Sequence, residues 1–381
     1  MIRLSEEEKK ILERTARHAN LGTATWARRI LVREAPEVRF PVTPTCASAQ
    51  ALDLLSLFCG PGGLDQGFKK AGFSTRIAFD IDKDCVATFN HNHANGLPLA
   101  HQRDIRALQT KEIFRLAGQD FAPIGVIGGP PCQSFSVSNV HQSSDDPRHV
   151  LPFEYARLLK EISTIRPISF FLFENVPGLL GPRHIGRYNQ FKKMLSRLDF
   201  EIYENSLDAM KFGIPQQRER IFVIGVNRKL HPFASWQWPA ESNRRTTVRD
   251  AIDGLPEPIF NEKGLDPELI PFHPNHWSMV PRSKKFSTNG MLEEGQTWGR
   301  SFRTLKWDEP SWTVAYGNRE VHVHPSGRRR LSVYEAMRLQ SFPHEYELTG
   351  NISAQIRLVS EAVAPEMAFL LALSVRACLR V

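Results

Sequence analysis

The residues with the clearest capacity for chemistry lie in one loop, residues 128–136, which reads Gly-Gly-Pro-Pro-Cys-Gln-Ser-Phe-Ser. The apolar run before it, 124–127, is typical of a buried strand in a parallel sheet. The glycines and prolines end that strand abruptly. Cys132 is therefore expected at the carboxyl end of a strand, where open α/β sheets place their active sites. Its thiolate could act as a nucleophile, although a lone cysteine is more often an ordinary buried side chain.

A carboxylate and two arginines follow the same strand-end pattern. Glu174 ends the apolar run 168–173. Apolar surroundings raise the proton affinity of a carboxylate, which suits a general acid, whereas a lone Glu in a turn is usually a surface residue. Arg218 and Arg220 stand two residues apart before the apolar run 221–224, so their side chains point the same way. They could grip a phosphate or a base carbonyl, or they could form a solvated charged edge.

A glycine turn predicts a nucleotide-binding unit near the start of the main domain. An apolar strand over 52–58 leads into Cys-Gly-Pro-Gly-Gly and then a helix over 64–71. Glycine lets the backbone approach a ligand at a helix N-terminus. Asp65 stands where a dinucleotide fingerprint has its third glycine, which argues against a dinucleotide. At the next two strand ends, Asp80 suits ribose hydroxyls and Asp104 suits an adenine amino group. Together these features predict an adenosine-type cofactor.

Composition restricts the class of protein. The 381 residues are 41% hydrophobic and 24% charged, as in soluble globular proteins, and the net charge of +8 suits a polyanionic partner. Five cysteines without a CxxC pair fit free thiols, so we expect a reducing, cytoplasmic location. The charged amino terminus lacks a signal-peptide core. The apolar run 367–375 is about half the length needed to span a bilayer, so we expect a core helix and no membrane.

Residues 229–328 differ in texture from the rest of the chain. Six of the seven tryptophans fall between 236 and 312, in loops rich in Pro, Gly and Asn. Polar and aromatic loops of this kind can read base edges in the major groove. Two basic runs, 281–285 and 328–330, could contact phosphate or could be solvated surface. The histidine pairs 273/276 and 322/324 have no cysteine nearby, so we expect no metal site.

Five ordered motifs carry a resemblance to a known family. They are Phe-x-Gly-x-Gly-Gly at 58–63, Pro-Pro-Cys-Gln at 130–133, Glu-Asn-Val at 174–176, Gln-x-Arg-x-Arg at 216–220, and Arg-Leu-Ser-Val-Tyr-Glu-Ala-Met-Arg-Leu-Gln-Ser-Phe-Pro at 330–343. Over about residues 52–367 the chain resembles the DNA cytosine-5 methyltransferases of bacterial restriction–modification systems. The resemblance implies a DNA (cytosine-5-)-methyltransferase. It also implies an α/β fold, in which a Rossmann-like S-adenosylmethionine-dependent domain carries a smaller, loop-rich target-recognition domain.

The resemblance assigns roles to the candidate residues. Cys132 would add to C6 of a cytosine flipped out of the duplex, and Glu174 would protonate or hydrogen-bond N3. Arg220 would hold the base oxygen, and Arg218 would support the phosphate and the Cys132 loop. The activated C5 would then take a methyl group from S-adenosylmethionine. The implied cofactor site comprises Phe58, Gly60, Gly62, Gly63, Asp80, Ile81, Asp104, Ile105 and Pro130.

The last motif departs from the family pattern. Where the family usually has Gly-Asn before Ala-Val, this chain has Ser360 and Glu361. Glu361 would place an acid near the methionine end of the cofactor, so the departure bears on cofactor affinity rather than on the type of reaction.

The chain divides into four segments on this basis. Residues 1–48 form a short helical N-terminal extension and linker, 49–228 the catalytic domain, 229–344 the target-recognition domain, and 345–381 a segment that returns to the catalytic domain. Within the extension, the spacing of Ser5 and Glu8 predicts a capping box at the start of a helix. A short strand over 2–4 weakly resembles a ribbon–helix–helix module, which would make the chain dimerise through its N-terminus. Packing of the extension on the main domain is the alternative, with a monomer on DNA.

The expected partners follow from this interpretation. Double-stranded DNA is the substrate, and a cognate restriction endonuclease is a possible partner without direct contact. Two other functions stay open: a tRNA cytosine-5 methyltransferase of the same family, and a catalytically silent DNA-binding regulator. The long target region favours DNA, and the presence of Cys132, Glu174 and Arg220 argues against a silent regulator.

Overall fold

A seven-stranded sheet organises the protein. The computed structural model describes residues 52–93, 96–131, 147–262, 270–288, 292–299, 302–313 and 321–381. The strands of the main sheet are β1 (Asp53–Leu57), β2 (Ser74–Asp80), β3 (Ala100–Gln102), β4 (Gly125–Gly128), β5 (Phe170–Asn175), β6 (Phe200–Asp208) and β7 (Glu219–Asn227). Their order in the sheet is β3-β2-β1-β4-β5-β7-β6. The first five are parallel, whereas β7 is antiparallel to both β5 and β6.

The strand order changes direction between β1 and β4, and this point locates the site. From β1 the sheet grows through β2 and β3 to one edge, and through β4 and β5 toward the other. Open α/β sheets bind ligands at the carboxyl ends of the strands at such a switch point. Leu57 and Gly128, the last residues of β1 and β4, are paired in the register. The glycine turn and the loop that leads to Cys132 therefore leave the sheet side by side.

The described residues include nine helices, and several of them cover the two faces of the sheet. They are α1 (Gly63–Lys70), α2 (Lys83–His93), α3 (Thr110–Ala117), α4 (Leu151–Ile165), α5 (Ile185–Leu195), α6 (Val248–Ile252), α7 (Val333–Leu339), α8 (Ile352–Glu361) and α9 (Pro365–Leu379). Side chains of α3, α4 and α5 share one hydrophobic cluster with alternate residues of β1, β4, β5 and β7. Side chains of α1 and α9 share a second cluster with the other face of the sheet. The predicted α/β fold is confirmed by this three-layer arrangement.

The apolar C-terminal stretch is a pair of core helices. Residues 352–379 are long and apolar enough to cross a membrane by length and composition alone. The helix is broken, however, because the backbone is extended at Ala362 and Ala364 between α8 and α9. Met367, Leu371 and Val375 are buried in the cluster that covers the sheet. The predicted core helix is therefore present.

The described part of residues 229–328 is poor in regular structure, as expected. It contains α6, the two-residue strands β8 (Ile259–Phe260), β9 (Trp277–Ser278), β10 (Thr297–Trp298) and β11 (Phe302–Arg303), and a short 3-10 turn at Lys284–Phe286. The described residues within 52–252 and 257–381 form one compact unit. The predictions for the N-terminal extension fall outside the described residues. The predicted boundaries at 229 and 344 stay predictions.

Candidate active site

The glycine turn after β1 has an unusual backbone. Phe58, Gly60 and Gly62 have φ values of 54°, 55° and 90°. Glycine adopts this left-handed region without penalty, but an aromatic residue rarely does. Strained backbone of this kind concentrates at ligand sites. A Cβ atom built on Gly60 would have no neighbour within 4 Å, so the space beside this residue is open to a ligand.

Asp80 at the end of β2 fixes the turn. Its carboxylate accepts hydrogen bonds from the backbone N–H groups of Gly60 and Asp82, both at 2.9 Å. Burial raises the pKa of Asp80, while those two N–H groups act in the opposite direction. Beside it, the apolar side chain of Ile81 is 59% exposed, as expected for a residue that would cover an apolar ligand surface. These positions agree with a binding site for an adenosine-type group.

Other predicted cofactor residues differ in how accessible their side chains are. Asp104 pairs with Arg106, whose Nε lies 3.0 Å from both carboxylate oxygens, and this guanidinium lowers the pKa of Asp104. An adenine amino group would therefore share Asp104 with Arg106. The side chain of Ile105 is buried in the core, so it could face a ligand only through its backbone. Gly63 begins α1, and a Cβ there would lie 2.2 Å from the carbonyl oxygen of Val363.

The loop that leads to Cys132 packs directly against β5. A Cβ on Gly129 would lie 2.6 Å from Oε2 of Glu174 and 3.2 Å from its carbonyl oxygen, so a larger residue would displace this carboxylate. Asn175 Nδ2 donates to the carbonyl oxygen of Pro130 at 3.2 Å and holds the loop at its start. Cys132 itself lies outside the described residues. The described chain nevertheless brings Glu174 and Asn175 to the residues immediately before it.

Glu174 and Arg220 form an ion pair at the carboxyl end of β5. Glu174 is opposite Phe222 in the antiparallel register, so Arg220 is a diagonal neighbour on the same face. Arg220 Nε lies 3.1 Å from Oε1 of Glu174. Burial raises the pKa of Glu174, although Arg220 and Arg218 both favour its ionised form. A carboxyl group with raised proton affinity fits the predicted general acid.

Arg218 has different partners from its neighbour two residues on. It is 3% exposed, and its Nη2 donates to the carbonyl oxygens of Ser360 and Ala362 at 3.1 and 2.8 Å. Arg218 thus anchors the segment between α8 and α9, and the idea of a solvated charged edge is wrong for this residue. Its predicted contact with the Cys132 loop lies outside the described residues.

Glu361 is paired with an arginine that sequence reasoning did not identify. Nη1 of Arg357 lies 3.4 Å from Glu361 and 2.8 Å from Asp82, and Nη2 lies 3.2 Å from Asp84. Burial raises the pKa of Glu361; Arg357 opposes this, and Asp80 adds to it. Glu361, which stands where the family usually has Asn, therefore lies near the carboxylates that follow β2. The single guanidinium of Arg357 pairs with Glu361 and with two of these carboxylates. The spacing of four between Arg357 and Glu361 on a helix was the available sequence signal.

The basic runs 281–285 and 328–330, predicted as phosphate contacts, are only partly exposed. Arg329 and Arg330 are only 5% and 4% exposed, so their prediction as phosphate contacts is wrong. Arg329 makes a bidentate pair with the buried Glu335, and both bonds are 2.9 Å long. Glu335 also completes the capping box at the start of α7. Arg328 is exposed, as are Arg282 and Lys284 of the other run, so phosphate contact by these three residues stays a prediction. Among the described residues, no group of three His, Cys, Asp or Glu side chains is placed to hold a metal ion.

Comparisons with known proteins agree with this geometry. A family model described as C-5 cytosine-specific DNA methylase matches residues 52–376. The Type II methyltransferase M.MthTI of Methanothermobacter thermautotrophicus is 32% identical over 340 residues, covering 83% of this chain and 94% of the relative. M.FnuDI of Fusobacterium nucleatum is 29% identical over 348 residues, covering 84% and 93%. A DNA modification methyltransferase encoded within an E. coli prophage has a similar structure, with a TM-score of 0.72 and 26% identity, covering 87% of this chain and 100% of that one.

The fold and the site thus define a methyltransferase with a Rossmann-like core. The chain belongs to the family of C-5 cytosine-specific DNA methylases. The predicted family, fold class and enzyme class are confirmed.

Proposed function

We propose that this enzyme transfers a methyl group from S-adenosylmethionine to C5 of a cytosine flipped out of a specific duplex DNA sequence. The observation that carries the proposal is the Glu174–Arg220 pair, which packs against the loop that leads to Cys132. This pair lies at the same sheet edge as the glycine turn. An acid, a base-binding cation and a thiol would thus meet beside a cofactor pocket.

The cofactor site fits the proposed group. Gly60 leaves open space, and Ile81 exposes an apolar side chain. Asp80, which accepts from the Gly60 N–H, would also accept from ribose hydroxyls. When bound there, S-adenosylmethionine supplies the methyl group to C5 through its sulfonium centre. Phe58, Gly62, Gly63, Asp104, Ile105 and Pro130 complete the proposed binding set.

The protein's own residues would make C5 reactive. The Sγ thiolate of Cys132 adds to C6, and the electron pair of the C5–C6 bond is displaced toward N3. Glu174 donates a proton or hydrogen bond at N3, which stabilises the developing charge, and Arg220 holds the base oxygen. After methylation, N3 returns its proton to Glu174 and a water molecule accepts the C5 proton. The C5–C6 double bond then re-forms and the Cys132 thiolate leaves from C6, which restores the aromatic base. The target base must leave the stack, because C6 is not reachable inside a duplex.

Duplex DNA, rather than RNA, is the proposed substrate. The M.MthTI and M.FnuDI relatives are named Type II methyltransferases, a class of restriction–modification enzymes. The loop-rich residues 229–328 would read the target sequence, and a cognate endonuclease would share it without touching this chain. The net charge of +8 favours association with either nucleic acid, so charge alone does not choose between them.

One experiment separates the candidate functions. The chain is expressed in bacteria without cytosine methyltransferases of their own, and both DNA and tRNA are sequenced after bisulfite conversion. We expect protected cytosines in one short DNA sequence context, and none with Cys132→Ser. Protection confined to tRNA would favour the RNA alternative. Protection of neither nucleic acid by a folded protein would favour a silent regulator.

A further inference from the structure

The glycine turn of the proposed cofactor site is held by a residue 285 positions further along the chain. The hydroxyl of Tyr346 donates to the carbonyl oxygen of Pro61. His93 Nε2 lies 3.2 Å from the same hydroxyl. Tyr346 donates its hydroxyl proton to Pro61, so the hydroxyl oxygen can only accept from His93. The Nε2 atom of His93 is therefore the donor. Burial lowers the pKa of His93 to about 4, so the ring is neutral at physiological pH.

The turn needs external support because glycine can adopt several backbone conformations. Asp80 accepts from the backbone N–H of Gly60, and Tyr346 donates to the carbonyl oxygen of Pro61. A Cβ on Gly62 would lie 2.6 Å from the Tyr346 hydroxyl oxygen and 2.7 Å from Nε2 of His93. The two side chains therefore fill the space beside Gly62. The turn is held at both ends of the Gly-Pro-Gly unit.

The segment that carries Tyr346 is itself fixed from two sides. The backbone N–H and C=O of Glu347 both bond to the side chain of Asn92, at 2.9 and 2.7 Å. Those of Leu348 both bond to the side chain of the fully buried Asn275, at 2.8 and 2.7 Å. Asn92 lies on α2, and Asn275 lies within the predicted target-recognition region. Two consecutive peptide groups are thus held by paired hydrogen bonds.

We propose that Tyr346 is a positioning residue that presets the glycine turn for S-adenosylmethionine. This inference rests on the proposed function and names a residue that acts on cofactor binding through Pro61. Without the hydroxyl, the turn populates other conformations in the free enzyme, and apparent affinity falls with the competent fraction. Once the cofactor is bound, the reacting groups are unchanged. The role therefore appears in KM for S-adenosylmethionine and not in kcat.

Tyr346→Phe removes the hydroxyl and retains the ring, which packs on Phe342 with centroids 5.0 Å apart. We expect KM for S-adenosylmethionine to rise about tenfold, as for a buried carbonyl that loses its donor, with kcat within about twofold of wild type. Tyr188→Phe is the matched control, because it removes the hydroxyl of an equally buried tyrosine, which donates to Glu204 away from the glycine turn. Its KM should be unchanged. His93→Phe keeps the stacking on Phe89 and should raise KM several-fold with unchanged kcat.

Calorimetric titration of each protein with S-adenosylmethionine alone should rank the affinities of the variants in the same order as their KM values. The role of Tyr346 is disproved if Tyr346→Phe and His93→Phe, folded with a normal melting temperature, bind the cofactor as wild type does. It is also disproved if Tyr188→Phe raises KM equally, since the effect would then be general destabilisation. A folded wild-type protein that binds no S-adenosylmethionine would instead overturn the proposed function on which this inference rests.

Discussion

Arg220 Nε lies 3.1 Å from Glu174 Oε1, and the two side chains are 16% and 12% exposed. Two opposing effects act on this carboxyl group. Burial favours its neutral form, while the guanidinium favours its ionised form, and the pKa of Glu174 is raised on balance. A raised pKa keeps a larger protonated population as pH increases, which is what a donor to N3 of cytosine requires. Arg220 fixes the orientation of the carboxyl group at the same time.

Glu174→Gln should therefore lower kcat by a factor of about 10²–10⁴, because glutamine can donate a hydrogen bond but cannot transfer a proton. KM for S-adenosylmethionine should change little, since Glu174 is not among the proposed cofactor residues. Wild-type kcat should fall as pH rises through the pKa of Glu174, and the variant should lack that decrease. Steady-state methyl transfer across pH measures both effects. Glu204→Gln, on edge strand β6 of the same sheet, is the control. Unchanged kcat in Glu174→Gln would exclude the acid role.

Cys132→Ser should abolish methyl transfer and leave cofactor binding largely intact, because a hydroxyl does not ionise near neutral pH as a thiol does. A duplex with 5-fluorocytosine at the target should trap the wild type covalently, since fluorine at C5 blocks elimination. Mass spectrometry of the trapped peptide identifies the nucleophile. A trapped peptide that contained any cysteine other than Cys132 would contradict the mechanism. Three of the other four, Cys59, Cys85 and Cys378, are buried.

Much of the central sheet could be predicted from the sequence because its strands are apolar and end in distinctive turns. β1, β4 and β5 are buried on both faces, so they appear as continuous hydrophobic runs. β6 was not predicted. It is one of the two edge strands, its residues 204–206 are exposed, and its sequence is largely polar. The pattern of an edge strand depends on neighbours that the sequence does not reveal.

The parts of the site that sequence could not provide are contacts between distant segments. The Arg-Arg-Arg run at 328–330 looked like surface, but a buried carboxylate at Glu335 draws Arg329 into the interior. Trp277 looked like part of a base-reading loop, yet it is 4% exposed and donates to Gln355 at 2.7 Å. Neither partner can be inferred from local spacing. The motif residues were predictable because the chemistry requires their types; their supporting residues were not.

Exchange of residues 229–328 for the corresponding region of a relative should change which sequence is methylated while the chemistry is unchanged. Each lost bidentate base contact should cost about 1–3 kcal/mol of discrimination. Bisulfite sequencing of DNA from cells that express the chimera reads the new specificity directly. Because buried Asn275 and Trp277 bond to residues 348 and 355, both should be retained in the chimera. A folded, active chimera with the original target sequence would place recognition elsewhere.

Asp65 should make the stability of the protein depend on pH. It is 1% exposed on α1 and accepts hydrogen bonds from Ser56 at 3.0 Å and Thr75 at 2.7 Å. Burial raises its pKa from 3.8 to about 6. The folded state thus holds the proton more tightly, so this contribution to stability is fully present below pH 3.8 and is lost as pH rises through about 6. The loss is about 3 kcal/mol by linkage.

The asparagine of Asp65→Asn cannot ionise, so the variant does not lose this stability as pH rises. Its free energy of unfolding should therefore increase relative to that of wild type between pH 5 and 7, which brackets the pKa of about 6. The asparagine can still accept from Thr75, and its amide can donate to the Ser56 hydroxyl. Chemical denaturation at a series of pH values measures the difference between the two proteins. Asp120→Asn, whose side chain is 78% exposed, is the control and should show a difference that does not vary with pH. If the Asp65→Asn difference were equally constant, buried Asp65 would not be the group that titrates, and the raised pKa would be wrong.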